Sequence, residues 1–179
     1  DNSDPRGNGR TYSLKHRIAL AAGIPRTDIG KDNVDLHQIE DRGTLRKLAL
    51  KKLGRREAFS QDNPHQTRMG NRKAEILDFG ILDDEGKRTT QLVSGKQYTF
   101  FLRSLFYENI VAVIAAFLIR SLKGVDMYGI TTLLQKMTIP PQRRGDMLEV
   151  RMRAPMRLTN GIYYLTFAVY DPTAEQDAQ

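Results

Sequence analysis

Residues 158–170 read LTNGIYYLTFAVY, from Leu158 to Tyr170. The first six form an L-x-x-G-x-Y arrangement, and the residues from Ile162 onward are β-branched or aromatic at nearly every position. A Tyr at the start of a late strand in a Greek-key sandwich folds its ring into the core and bonds its hydroxyl to nearby backbone, a tyrosine corner. Tyr163 is therefore read as structural. Alternation along the same stretch puts Leu165, Phe167 and Val169 on the inner face with Tyr163, and Ile162, Tyr164, Thr166 and Tyr170 on the outer one.

Working outward from this strand, five more runs have a period of two. They are AEILDF (Ala74 to Phe79), QYTFFLRSLFY (Gln97 to Tyr107), VAVIAAFLIRS (Val111 to Ser121), MYGITT (Met127 to Thr132) and MLEVRMR (Met147 to Arg153). Gly, Asp, Asn and Pro separate them, and there is no room for crossover helices, so the expected class is an antiparallel all-β sandwich. Phe100, Leu102, Phe117, Ile119, Leu148, Val150 and Met152 are expected inward. The outward set comprises Phe101, Arg103, Leu105 and Tyr107, then Ala116, Leu118 and Arg120, and finally Glu149, Arg151 and Arg153. It is more apolar than a solvated face requires, which implies that something covers it.

The rest of the chain limits the functional classes. With 179 residues and no cysteine, a disulfide scaffold, a thiolate metal site and a thiol nucleophile are excluded. The longest apolar run, Ile110 to Ile119, is too short to span a membrane as a helix. The net charge of +7 is concentrated early: residues 1–72 carry 15 Lys and Arg against 9 Asp and Glu, and the remainder carries 13 against 12. A polyanion-binding core is not what that distribution describes.

The opening DNSDPRGNGR reads as linker. Gly43 to Phe59 reads as a basic amphipathic helix, with Leu45, Leu48, Ala49 and Leu53 on one side and Lys47, Lys51, Lys52, Arg55 and Arg56 on the other. Such a helix either docks by its Leu stripe or meets an anionic surface, a nucleic acid or a partner.

Catalytic motifs fail one by one. GIPRTDIGK (Gly23 to Lys31) has the wrong glycine spacing for a phosphate loop and lacks the hydroxyl residue after Lys31. His16, His37 and His65 have no metal-ligand spacing. Asp83, Asp84 and Glu85 crowd a turn ending at Gly86 instead of facing a second carboxylate, and no Ser lies in a G-x-S-x-G elbow. The absence of any catalytic constellation favours a binding module that is not an enzyme and uses no cofactor.

A series of short motifs follows in order from Arg68 to Tyr170: Arg68-Met69-Gly70, Ala74-Glu75-Ile76, the LDDEG turn at Leu82 to Gly86 and Val93-Ser94-Gly95-Lys96. It continues through Ala116 to Arg120, Tyr128 to Thr132 and Leu158 to Tyr163. In that ordered series the chain resembles the C-terminal carbohydrate-binding domain of the ATP-binding subunit of O-antigen polysaccharide ABC exporters, the Wzt type. Ser121-Leu122-Lys123-Gly124 stands where the family has Asp-x-x-Gly, and Gly129-Ile130-Thr131-Thr132 where it has Gly-x-Asn-Thr.

The resemblance implies an immunoglobulin-like Greek-key sandwich over residues 68–179, preceded by a basic, partly helical extension over 1–67. It further implies recognition of the capped non-reducing end of an O-polysaccharide, coupled to export in the cytoplasm at the inner membrane. Its partners would be an upstream ATP-binding domain, a transmembrane exporter subunit and a second copy of the chain in a homodimer, with no nucleic acid. Since Asp1 is not a natural start, the chain reads as a piece of that longer subunit. Family members commonly have one more strand after the Tyr170 position, where this chain has the polar DPTAEQDAQ. The sheet edge would then await a partner.

A sugar site needs ring platforms and planar donors. There is no Trp, so Tyr107, Tyr128 and Tyr164 are the candidate platforms, with Arg103, Arg120 and Arg151 as donors. The alternative function is binding of nucleic acid or an anionic surface through the basic N-terminal segment, which would weaken steeply with salt.

Overall fold

A computed structural model describes residues 34–54 and 67–173, together with the backbone of residues 21–23. The opening ten residues and Arg55 to Phe59 of the expected helix lie outside the described residues. The elements in chain order are β1 (Ala21–Gly23), a 3-10 turn (Leu36–Gln38), α1 (Arg42–Lys52), β2 (Ala74–Leu82), β3 (Gln97–Phe106), β4 (Ile114–Ser121), β5 (Asp126–Thr131), β6 (Met147–Pro155) and β7 (Tyr163–Tyr170). All six strands read from the alternating runs are present.

They form two antiparallel sheets, ordered β1-β6-β3-β2 and β5-β4-β7. β2–β3 and β4–β5 pair with their chain neighbours, whereas β3 pairs with β6 and β4 with β7, so the chain crosses repeatedly between layers. This is the Greek-key pattern of an immunoglobulin-like sandwich. The layers meet through Phe100 of β3 and Phe117 of β4, whose rings stack 3.9 Å apart at 7°. Phe167 of β7 packs against Phe79 at 5.1 Å and Phe117 at 6.5 Å. Tyr163 forms the expected corner: its hydroxyl donates to the Thr159 carbonyl at 2.9 Å and lies 3.0 Å from the Thr159 hydroxyl.

β3 is largely apolar on both sides: apart from Thr99 and Arg103, its outer residues Phe101 and Leu105 are also buried, as is Tyr107 just beyond its end. Half of the cover is α1. Asp41 caps the helix by accepting from the Thr44 amide, and the helix ends at Leu53 and Gly54. Leu45, Ala49 and Leu50 then bury themselves with Leu36 of the 3-10 turn against Leu77, Leu105 and Tyr107. The helix thus docks by its apolar side, and Lys47, Lys51 and Lys52 stay exposed. Leu77 reaches this outer cluster through a bulge: the β2–β3 register shifts between Ile76 and Asp78, which brings Leu77 and Asp78 to the same side.

The β5–β6 connection holds the 3-10 turn and the residues that lead from it into α1. Arg144 donates to the carbonyls of Tyr107, Ile39 and Glu40, and His37 Nδ1 lies 2.7 Å from the Arg144 carbonyl. Gly145, at φ 86°, lies so close to the Leu36 carbonyl that a Cβ there would sit 2.8 Å from its oxygen. Leu45→Ala is expected to destabilise the whole chain by about 3 kcal/mol, as for a fully buried leucine. Denaturant unfolding measures it, and a loss within about 0.5 kcal/mol, typical of surface positions, would separate α1 from the cooperative unit.

Candidate functional site on the two outer sheet faces

Where α1 stops, the outer face of the four-stranded sheet becomes a layered charge network. Asp78, fully buried, accepts from Arg88 Nη2 at 2.9 and 2.7 Å and from Arg103 Nη1 at 3.1 Å. Arg103 Nε donates in turn to Glu149 at 2.6 Å, and Arg151 Nε donates to the other Glu149 oxygen. Both guanidiniums also lie over the Phe101 ring, Arg88 at 4.8 Å and Arg103 at 5.5 Å from its centroid. Gly80 makes this possible, because a Cβ there would stand 3.1 Å from Phe101 and 3.2 Å from Arg88. Side-chain exposure is 0% for Asp78 and 17% for Glu149, against 35% for Arg88 and 45% for Arg151. Solvent therefore meets guanidiniums, with their countercharges beneath.

Two carboxylates respond to these surroundings. Burial pushes the Glu149 carboxyl up, but hydrogen bonds from Arg103 and Arg151 outweigh it and hold the group below its usual range. Glu75 behaves likewise under α1: burial is offset by the Tyr107 hydroxyl at 2.6 Å and by Arg46 and Arg68, each at 2.9 Å. Burial and Glu75 together push the Tyr107 hydroxyl well above the usual phenol range. Arg42 covers its ring at 3.8 Å.

The outer face of the three-stranded sheet has a different character. Arg120 of β4 stands opposite Tyr164 of β7 in the strand register, and its Nε donates to Asp126 at 2.5 Å. Tyr164 is 60% exposed, and Tyr170 lies further along the same face of β7. Between them lie Thr166, Ala168, Ala116 and Leu118, with Leu118 folded over Gly129. The floor is low and the two tyrosines stand above it.

The six residues singled out from sequence thus fall into three groups. Arg103 and Arg151 share Glu149 on the four-stranded face. Tyr107 is on that face too, but at 3% exposure under α1 and Arg42 it offers no ring face to a ligand. Arg120 and Tyr164 come together on the opposite sheet. Tyr128 belongs with neither group: it is half-buried against the core, its ring 6.1 Å from Phe117, and burial pushes its hydroxyl up to about 12. Alternation placed Tyr170 on the outer face but it was not counted among the platforms, and sequence reasoning missed Asp78 and Arg88, since Asp78 depends on the bulge and Arg88 lies beyond the end of β2.

The acidic turn is only a turn: Asp83 accepts from the Glu85 and Lys87 amides, and its carbonyl accepts from Gly86. Among the described residues, no group of three His, Cys, Asp or Glu is arranged to hold a metal, and no helix is long and apolar enough to cross a membrane. Fold and faces together define an immunoglobulin-like sandwich domain whose open chemistry lies on sheet faces. Residues 65–179 match the Wzt C-terminal domain family, and the chain belongs to that family. A crystal structure of the C-terminal domain of Wzt is similar, with a TM-score of 0.56 and 26% identity over 60% of this chain and 65% of that one. The chain thus spans just under two thirds of that relative. No curated protein matches.

Because Glu75 and Glu149 are held below their ordinary value, their contribution to stability is complete above about pH 4.5 and is lost as acid protonates them. Melting temperature measured from pH 7 downward is expected to fall once pH drops below that value. Glu149→Gln should lower stability at neutral pH and flatten the acid limb, and an unchanged limb would remove Glu149 from the cause.

Proposed function

We propose that the chain is a non-catalytic carbohydrate-binding domain of an O-antigen polysaccharide ABC exporter. It recognises the capped non-reducing end of the glycan and couples chain completion to export. Family membership supports the exporter context. The observation that carries a glycan surface is the exposed Tyr164 ring beside the Arg120 guanidinium on an otherwise low sheet face. An aromatic ring takes the C–H side of a pyranose while a planar guanidinium donates to its hydroxyls.

In this reading residues 1–67 connect the sandwich to an upstream ATP-binding domain, which acts with a transmembrane subunit from the cytoplasmic side of the inner membrane. The docked 3-10 turn and α1 would give that connection a defined exit from the sandwich. A homodimer fits the edge at β7, whose second side is unpaired among the described residues.

Calorimetric titration with the polysaccharide of the source strain, native and decapped, tests this. Saturable binding that requires the cap and survives added salt is expected. Tyr164→Ala should weaken it about tenfold, the scale of one lost aromatic contact. Absence of heat with every cognate glycan would overturn the proposal, and salt-sensitive binding to an anionic control polymer would transfer the activity to the basic segment.

A further inference from the structure

The charge network on the four-stranded face alternates strictly until one position. Read across the strands it runs Arg88, Asp78, Arg103, Glu149, Arg151, and each carboxylate bridges the two guanidiniums beside it. The next cation is Arg153, two residues along the same face of β6, which is held from its far side by Asp84 at 3.1 Å. Between Arg151 and Arg153 no carboxylate of the described residues intervenes. Their Cα atoms lie about 7 Å apart at the rise of a strand, a separation that one carboxylate can bridge through its two oxygens.

The gap is built for an acceptor. Glu149 engages Arg151 only through Nε, so the Nη groups of Arg151 make no hydrogen bond to the described residues, and its side chain is 45% exposed. Arg153 uses Nη2 on Asp84 and is 53% exposed. Both are flanked by β3 in register, Arg151 by Phe101 and Arg153 by Thr99. Glu149, fixed in turn by Arg103 on the buried Asp78, holds Arg151 from below and Asp84 holds Arg153, so each guanidinium is already partly oriented when a further anion arrives.

We propose that Arg151 and Arg153 form a binding site for the carboxylate of an acidic sugar, a uronic acid or its equivalent, within the glycan that the domain binds. The identity of the ligand rests on the glycan reading above, but the site is separate, because Tyr164 and Arg120 lie on the opposite sheet. A planar carboxylate is favoured because the two carboxylates already in the ladder show the geometry that these guanidiniums accept. A sugar suits the place because the face is flat: a pyranose ring can lie along the methylene stems of Arg151 and Arg153, with the Thr99 hydroxyl beside it.

The test titrates the whole chain at physiological ionic strength with oligogalacturonate, its carboxyl-reduced neutral counterpart and polyglutamate of equal charge. Oligogalacturonate is expected to bind about tenfold tighter than the reduced form, the scale of two guanidinium–carboxylate contacts. The double variant R151Q/R153Q should erase that difference while still unfolding in one cooperative transition, with the modest fall in melting temperature that loss of the Arg151–Glu149 contact brings, and Tyr164→Ala should leave the difference intact. Equal binding of the two oligosaccharides would overturn the carboxylate site while leaving glycan binding standing. Equal binding of polyglutamate would overturn the sugar assignment. If native O-polysaccharide also gives no heat, the glycan reading itself falls.

Discussion

Strand β3 carries buried apolar side chains on both of its faces, and the rest of the molecule is arranged around that constraint. Phe100, Leu102 and Phe106 enter the space between the sheets, where Phe100 stacks on Phe117 and joins the layers. Phe101, Leu105 and Tyr107 point the other way and would stand in water unless covered. Removing such surface from water stabilises by roughly 25 cal/mol per Å², so the outer cover belongs to the fold as much as the inner core does.

Two different materials provide the cover. Over Leu105 and Tyr107 it is α1 with its 3-10 turn, drawn down by leucines and held by Arg46 and Tyr107 on Glu75. Over Phe101 it is a pair of arginines, which shield the ring while keeping their charge toward solvent. The β2 bulge serves both, since it delivers Leu77 to the helix and Asp78 to the arginines from adjacent positions. A structural requirement for shielding thus leaves an ordered row of guanidiniums on the surface. The opposite sheet has no such requirement, and its outer face keeps small residues between exposed tyrosines.

This division bears on function through its asymmetry. One side of the sandwich is cationic and rigid, with buried carboxylates fixing its arginines, and the other is low, aromatic and nearly uncharged. A glycan that touches both faces would meet hydrogen-bond donors aimed at charge on one and ring platforms on the other. Two independent contacts on one polymer raise the effective affinity beyond either alone.

The residues of this chain determined by themselves that it is an antiparallel sandwich, because period-two alternation at six runs and the Leu158 to Tyr163 corner are local features that burial on one side of a strand enforces. They also indicated that the outer face of β3 was too apolar to be bare. The occupant of that face, the departure of Tyr107 from the accessible surface and the placement of Tyr128 against Phe117 were decided only by tertiary structure. So was the pairing of Arg120 with Tyr164, which come from strands far apart in the chain. Alternation assigns a residue to a face, but which element lies over that face depends on contacts between distant segments. The bulge at Leu77 and Asp78 makes the point most sharply: one extra residue breaks the period of two and moves a carboxylate beneath two arginines that no spacing in the sequence connects to it.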